Sequence, residues 1–278
     1  MPAARRSIGG RAAPWLLVSV TGPEEAEDAF DGGGADLIDL KDPRRGALGA
    51  CDLDLLRAVA TLRDRRSPAT PLSAALGAAG DPRAPDRAAR VAALGYDFVK
   101  LGLENLPALP AAAAALARIV EAVRATRPAT QVIAVTFADA EALPSLPPPL
   151  LPEAAKAARA SGCLLDTAVK DGRTLLDHLE PALLARFIAA CRRRGLLVAL
   201  AGSLGLETIA RLLPLSPDVV GVRGAVCDGG RDGRFAPDRL RSLRAALGGS
   251  PGTPFFPATS VSRRPRPAGV SRTAAHRR

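Results

Sequence analysis

Lysine is rare in this chain, and its positions give the first indication of chemistry. The 278 residues include 34 arginines but only four lysines, which are Lys41, Lys100, Lys156 and Lys170. Arginine carries a charge that no physiological pH removes, whereas a desolvated or cation-crowded lysine amine can lose its proton. A lysine retained in so arginine-rich a chain is therefore a candidate for a reaction that needs a free amine, such as Schiff-base formation.

Two carboxylates accompany these lysines. Asp39 precedes Lys41 by two residues, so an extended strand places both side chains on one face. Asp166 precedes Lys170 by four residues. Such acids can shuttle protons for the amines or simply pair with them as ions. A single lysine could also bind a phosphate or pair with an acid, and it is the convergence of three that favours chemistry.

Alternating short apolar runs and longer helical segments must position these residues. Eight candidate strands lie at residues 15–20, 36–41, 71–76, 97–101, 131–136, 163–166, 196–201 and 218–222. Eight candidate helices lie at residues 24–31, 53–65, 86–94, 108–125, 153–160, 181–194, 206–212 and 237–247. A doubly wound sheet shares this alternation, but the chain has no dinucleotide-binding fingerprint. We therefore predict an α/β fold, a (β/α)8 TIM barrel over residues 14–248.

A barrel would bring the lysines together. Lys41, Lys100 and Lys170 fall at or just beyond the carboxyl ends of predicted strands two, four and six, where TIM-barrel active sites form, whereas Lys156 lies in a predicted helix. The loops after predicted strands seven and eight hold candidate phosphate ligands, which are Gly202, Ser203, Arg223 and Gly224. A proline-rich stretch at residues 143–152 predicts a stiff loop on the same face.

The net charge of +10 comes from the ends of the chain. Residues 1–13 contain three arginines and residues 249–278 contain six, and neither segment contains an acid. We predict disordered extensions in both places and expect no nucleic-acid partner. Four scattered cysteines and two histidines predict no metal site, and no cofactor is expected. Without a signal-like or membrane-spanning apolar run, we expect a cytoplasmic protein with no membrane partner.

Six ordered blocks of the sequence carry a resemblance to a known family. They are residues 16–19 (LLVS), 34–43 with 46–50 (GADLIDLKDP, GALGA), 98–103 (FVKLGL), 165–172 (LDTAVKDG), 199–203 (ALAGS) and 218–225 (DVVGVRGA). Over about residues 15–247 the sequence resembles the (5-formylfuran-3-yl)methyl phosphate synthases of methanofuran biosynthesis. Asp42, where Asn is expected in archaeal members, departs from the family pattern, as do residues 77–81 and the proline run.

The resemblance implies a lyase that joins two molecules of a triose phosphate, glyceraldehyde 3-phosphate. One phosphate and two waters would be lost to give 4-(hydroxymethyl)-2-furancarboxaldehyde phosphate. In that family the lysine matching Lys41 forms the Schiff base and the lysine matching Lys100 accepts a proton. Positions matching Asp39, Asp166 and Lys170 also belong to its active site. The departures put loop contacts with substrate in question, but not the lysine chemistry.

Two other functions fit the same residues. A different Schiff-base aldolase of sugar phosphates would share all three lysines and differ in its acceptor. A non-catalytic barrel could instead bind phosphometabolites, or nucleic acid through its basic tail, and would form no substrate adduct on Lys41. The sequence leaves the oligomeric state open, with a homo-oligomer as one option.

Overall fold

A closed barrel of eight parallel strands forms the centre of the molecule. The computed structural model describes residues 7–8, 11–139 and 143–248. Strands β1 to β8 are Trp15–Val20, Leu37–Leu40, Leu72–Ala78, Phe98–Gly102, Gln131–Phe137, Gly162–Asp166, Leu197–Leu200 and Val219–Val222. Strand β8 pairs with β1 and closes the barrel. The TIM-barrel prediction is confirmed, and the doubly wound alternative is wrong.

Each strand is followed by a helix on the outside of the barrel. Helices α1 to α8 are Pro23–Asp31, Leu53–Arg66, Ala84–Ala93, Leu109–Thr126, Leu151–Ala157, Pro181–Arg193, Leu206–Leu212 and Pro237–Ala246. Six of them carry proline at the first or second position, where a missing N–H costs no intrahelical hydrogen bond. None of the described helices is both long and apolar enough to cross a membrane.

Small aliphatic side chains make the layer between strands and helices. Helix α4 buries six of them, which are Ala112, Ala115, Leu116, Ile119, Val120 and Val123. On β1, Leu16, Val18 and Val20 face this layer and are fully buried. Alanines allow a helix to approach the sheet closely, so a tight core forms with few aromatic residues.

The interior of the barrel is packed unevenly. On several strands the inward positions hold large side chains, such as Leu17, Phe98 and Leu164. On β7 and β8 they hold Ala199 and Gly221, which line a cavity together with Ala201, the residue after β7, and with Lys41 and Lys100. The small residues therefore leave room in the mouth of the barrel beside the lysines.

Most differences from the predicted elements are small. Helix α5 ends before its predicted limit, because Arg159 adopts a left-handed φ of 58°. A short helix, Leu175–His178, precedes α6 and was not predicted, although Thr174 and Asp177 form a capping box that signals it. The loop predicted at residues 143–152 follows β5 and contains a 3₁₀ turn at Pro148–Leu150, but its last two residues already belong to α5, which begins at Leu151.

The predicted extensions fall largely outside the described residues. In the amino-terminal segment, Ser7–Ile8 pairs antiparallel with Arg11–Ala12, a two-residue ladder that composition did not predict. The remainder of residues 1–10 and all of residues 249–278 lie outside the description. The first strand of the barrel begins at Trp15 and its last helix ends at Ala246.

Candidate active site

The carboxyl ends of β2, β4 and β6 bring three lysines to one side of the barrel. Lys41 directly follows β2, and Lys100 lies within β4. Lys170 follows β6 by four residues and contacts Asp166, the last residue of that strand. One cavity is lined by Lys41, Lys100 and Asp166. The fourth lysine, Lys156, lies on α5 and its amine donates to a backbone carbonyl at the surface.

The amine of Lys41 is buried and unengaged. Among the described residues it forms no hydrogen bond and no ion pair, while its backbone N–H donates to the carbonyl of Val20 at 3.1 Å. Burial is the main cause that lowers the pKa of Lys41, to about 8. Asp166 and Asp39 oppose this shift, and the ammonium groups of Lys100 and Lys170 reinforce it. A free, nucleophilic amine is therefore accessible near neutral pH.

Lys100 on β4 and Asp39 on β2 form a buried ion pair. The distance between Lys100 Nζ and Asp39 Oδ2 is 2.7 Å, and both side chains are almost completely buried. The hydroxyl of Ser19 donates to the same carboxylate oxygen at 3.1 Å. Both donors bind the same oxygen of Asp39. The carboxylate thus holds the Lys100 amine at the cavity that Lys41 also lines.

Asp166 and Lys170 form a second pair on the opposite side of the cavity. Lys170 Nζ lies 2.7 Å from Asp166 Oδ1 and donates to Thr167 Oγ1 at 2.9 Å. Burial opposes ionisation of Asp166, but the charges of Lys170 and Lys41 and hydrogen bonds from Lys170 and Thr167 outweigh it. Together they lower the pKa of Asp166 to about 2. Asp166 is consequently a carboxylate at neutral pH.

The loop that carries Lys170 is shaped by an acid from the preceding strand connection. Asp139 accepts the backbone N–H groups of Ala168 and Val169, each at 2.7 Å. These two bonds turn the chain after β6 so that Lys170 folds back onto Asp166. Asp139 was not singled out from the sequence. Its position just beyond strand five was the available signal.

The loop after β7, where phosphate ligands were predicted, contains two consecutive residues with left-handed backbone conformations. Gly202 has a φ of 109° and Ser203 a φ of 51°. A Cβ on Gly202 would lie 3.0 Å from the Thr167 methyl carbon and 3.2 Å from its backbone nitrogen, so this position requires glycine. Among the described residues, the backbone N–H groups of Ser203 and Gly224 donate to no protein acceptor. They are thus available to an anion such as phosphate.

The guanidinium of Arg223, a predicted phosphate ligand, forms contacts with protein acceptors. Its guanidinium binds Glu25 with both terminal nitrogens, at 2.5 and 3.0 Å. Its remaining N–H groups donate to the carbonyls of Ser19, Arg231 and Gly233. All five donors of the guanidinium are therefore directed to protein acceptors. The guanidinium is thus engaged within the protein and ties the β8 loop to α1, and a direct bond from Arg223 to phosphate stays a prediction.

No three His, Cys, Asp or Glu side chains in the described part of the chain are grouped so that they could hold a metal ion. The site therefore offers amines, carboxylates and backbone donors.

Comparison with known proteins shows which family the chain belongs to. The sequence model of the family described as 4-HFC-P synthase matches residues 16–244. The chain belongs to this family. Relatives include the (5-formylfuran-3-yl)methyl phosphate synthases of Methanopyrus kandleri and Archaeoglobus fulgidus, which are 38% and 33% identical. Each alignment covers 84% of this chain and 99% of the relative. The predicted family and the prediction of an enzyme are confirmed.

The fold also agrees with solved structures. KGPDC from Streptococcus mutans, solved in complex with D-R5P, superimposes with a TM-score of 0.60 over 84% of this chain and 97% of that one. At 14% sequence identity, this similarity shows the barrel fold alone. The lyase class predicted from the sequence is consistent with the 4-HFC-P synthase family.

The loop after β2 contains a departure from the 4-HFC-P synthase pattern that the sequence left in question. Asp42 accepts the backbone N–H of Arg44 at 3.0 Å and also binds the Arg44 guanidinium. A Cβ on Gly49 would lie 2.1 Å from the Asp42 carbonyl oxygen, so the loop closes only with glycine there. Asp42 thus organises the turn that immediately follows Lys41.

A residue from much later in the sequence also holds this loop through hydrogen bonds. Arg231, in the segment after β8, donates to the carbonyls of Pro43 and Gly46 at 3.3 and 3.1 Å. Sequence reasoning missed this residue because one arginine among 34 carries no distinguishing signal. It missed Ser19 although the alternation of β1 places Ser19 on the same face as Leu17.

Proposed function

We propose that this chain condenses two molecules of glyceraldehyde 3-phosphate through a Schiff base on Lys41. The product would be 4-(hydroxymethyl)-2-furancarboxaldehyde phosphate, formed with loss of one phosphate and two waters. This is the reaction implied by membership of the 4-HFC-P synthase family, and it would serve the biosynthesis of a methanofuran-type cofactor in one-carbon metabolism.

The observation that carries the proposal is the state of the Lys41 amine. It is buried, it has no hydrogen-bond partner among the described residues, and its pKa is lowered to about 8. In the first step its nitrogen attacks the aldehyde carbon of one triose phosphate, and water leaves as the imine forms. The protonated imine then accepts electrons when the neighbouring carbon loses a proton.

Lys100 is proposed to accept that proton, after its ammonium has given its own proton to the water that leaves as the imine forms. Its amine lies in the same cavity as Lys41, and Asp39 at 2.7 Å stabilises the ammonium that proton transfer creates. The resulting carbon nucleophile adds to the carbonyl of the second triose and forms the new carbon–carbon bond. Elimination of phosphate and water then leads to the aromatic furan ring, and hydrolysis of the imine releases Lys41.

The second ion pair and the cradle would hold the substrates. Asp166 and Lys170 lie across the cavity, where a fixed carboxylate and a fixed ammonium can orient hydroxyl groups and transfer protons. The backbone N–H groups of Gly202, Ser203 and Gly224 would bind a phosphate, with glycine geometry that brings the backbone close to the anion. Arg223 would support this loop through Glu25 without touching phosphate.

The test is to incubate the purified chain with glyceraldehyde 3-phosphate and identify both product and adduct by mass spectrometry. Borohydride reduction should trap a triose-derived mass on the peptide that contains Lys41, and the unreduced reaction should accumulate the furan phosphate. Lys156→Arg is the matched control, because that lysine lies on the outer helix α5.

Each alternative function gives a different result. An adduct on Lys41 with an aldol product that keeps both phosphates would indicate another Schiff-base aldolase. Binding of triose phosphate without any reducible adduct would indicate a non-catalytic barrel, and the proposal would then be wrong.

A further inference from the structure

Two buried oxygens beside the Asp39–Lys100 pair have no hydrogen-bond partner among the described residues. One is Oδ1 of Asp39, the carboxylate oxygen that Lys100 and Ser19 do not use. The other is the hydroxyl of Ser73 on β3. Both residues are completely buried. An unsatisfied polar group in such a place is unusual, and each one calls for an explanation.

These two oxygens belong to a matched pair. Strands β2 and β3 are hydrogen-bonded in a register that sets Asp39 opposite Ser73. Paired positions on adjacent strands project to the same side of a sheet. Ala75, two residues after Ser73, packs inside the barrel with Leu17 and Phe98, so Ser73 also faces the interior. A hydroxyl donor and a carboxylate acceptor therefore lie side by side beneath Lys100.

We propose that Ser73 is a positioning residue for the reaction, whose hydroxyl donates to Oδ1 of Asp39 and thereby holds the carboxylate against Lys100. Ser19 on β1 donates to the other oxygen of Asp39. The carboxylate would then be hydrogen-bonded from both strands that neighbour β2. Rotation about the Ser73 side chain, or one bridging water, completes the contact. This inference rests on the proposed function, because it assumes that Lys100 accepts a proton from substrate.

The expected effect has a definite sign. When Lys100 is deprotonated, Asp39 retains its negative charge without an adjacent cation, and the Ser73 hydroxyl is then most needed. Without this donor, the charge of Asp39 is less stabilised in the state in which Lys100 is free, so the free amine that accepts the substrate proton forms less readily. Other charged groups around the pair are Lys41 on the same strand and Asp166 with Lys170 across the cavity. Cys51 and Tyr96 interact with Asp39 from outside the barrel.

The experiment compares two pH profiles in the full-length chain, using glyceraldehyde 3-phosphate as substrate. In Ser73→Ala, the acid limb of furan phosphate formation should move up by about one pH unit, which is roughly a tenfold loss of kcat at pH 7. Activity should recover at high pH, and KM should stay close to its original value. Borohydride trapping on Lys41 should keep nearly the same pH dependence. Ser73→Thr, which retains the hydroxyl, should restore most of the activity.

Thr130→Val is the matched control, because it removes another buried hydroxyl far from the lysines, where Thr130 donates to the carbonyl of Tyr96. It should lower the melting temperature without moving either profile. The inference is wrong if the Ser73→Ala profile superimposes on the original, if Ser73→Thr is no better than Ser73→Ala, or if Thr130→Val moves the profile equally. If the unaltered chain forms neither adduct nor product, the proposed function is wrong, and this inference is then wrong as well.

Discussion

At the scale of single residues, burial sets the character of Lys41. Two carboxylates, Asp166 and Asp39, raise the pKa of its amine, and two ammonium groups, Lys100 and Lys170, lower it. Desolvation is the largest cause, and the pKa falls to about 8. An arginine could not respond in this way, because its guanidinium stays protonated. The rarity of lysine in the sequence is thus consistent with a position where only lysine works.

The pH dependence of adduct formation follows from this balance. At pH values below its pKa of about 8, the Lys41 amine is mostly protonated and cannot attack. The rate of borohydride trapping should therefore rise with pH and level off above about pH 8. Asp166→Asn removes a group that raises the pKa and should move the midpoint to lower pH. Lys170→Met removes a cation that lowers it and should move the midpoint higher. Trapping rates measured from pH 6 to 10 would check all three, and shifts of the opposite sign would contradict this account.

Lys41 and Lys100 should fail in different ways when each is changed to arginine. Lys41→Arg keeps the charge but has no nucleophilic amine, so both turnover and the trapped adduct should disappear. Lys100→Arg preserves a cation beside Asp39 but cannot accept a proton near neutral pH. The adduct on Lys41 should still form, while furan product falls by at least about a hundredfold, the usual contribution of a general base.

Peptide mass spectrometry after borohydride reduction distinguishes the two variants. Substrate attached to Lys100 or Lys170, with Lys41 unmodified, would overturn this division of labour. Lys156→Arg again serves as the control and should leave both adduct and product unchanged.

At the scale of elements, the mouth of the barrel is held by contacts between loops that are far apart in sequence. Arg223 after β8 binds Glu25 in α1 and the carbonyl of Ser19 at the end of β1. Arg231 then reaches the turn after Lys41. The final βα unit is therefore tied to the first two units at the catalytic face. These ties position the loop after β8 and the Lys41 loop relative to each other.

Arg223→Met should mainly reduce stability. The change leaves the largely buried carboxylate of Glu25 without its partner, which costs about 3 kcal/mol in the free energy of unfolding. KM for triose phosphate should change little, since all five N–H groups of this guanidinium already donate to protein acceptors. Urea denaturation and steady-state kinetics provide the two measurements.

Two further variants make this test decisive. Glu25→Gln combined with Arg223→Met should recover part of the lost stability, because the buried charge is then removed as well. Arg57→Met, which breaks an exposed pair with Asp54 on α2, should have little effect. A large increase in KM with unchanged stability would instead restore the direct phosphate role predicted from the sequence.

At the scale of the whole molecule, the barrel is complete without the basic tail. Helix α8 buries Leu240 and Leu243, and Leu247 is also buried just after it. Arg244 forms an ion pair with Asp36, the residue just before β2, which ties the last helix to that strand. The match to the 4-HFC-P synthase family also ends at residue 244. The part of the chain that this family shares is therefore contained in the barrel.

Removal of residues 249–278 should leave both turnover and melting temperature nearly unchanged. That segment lacks the periodic apolar pattern needed to dock on a barrel, and its six arginines have no acids beside them. Thermal melting and product formation by the truncated chain would check this. A truncation after residue 236 is the contrasting variant and should unfold the protein, because it removes α8. Substantial loss of activity on removing residues 249–278 would show that the tail takes part in function.

Periodicity was enough to find the framework. All eight strands and eight helices were predicted, because a buried parallel strand and an amphipathic helix each leave a regular apolar pattern. The short helix at Leu175–His178 was missed because four residues are too few to show a helical period. The end of α5 was misplaced because the left-handed conformation of Arg159 has no sequence signal.

The sequence by itself determined that Lys41, Lys100 and Lys170 lie on one face, because parallel strands joined by helices all end at the same rim of a barrel. Only the tertiary structure decided what surrounds them. Asp39 meets Lys100 from 61 residues away, and Glu25 occupies Arg223 from 198 residues away. A strand pattern reports which face a side chain takes, whereas desolvation and donor availability depend on neighbours that meet only when the barrel closes. For that reason the positions of the lysines could be predicted from the sequence, whereas the binding of Arg223 to Glu25 could not.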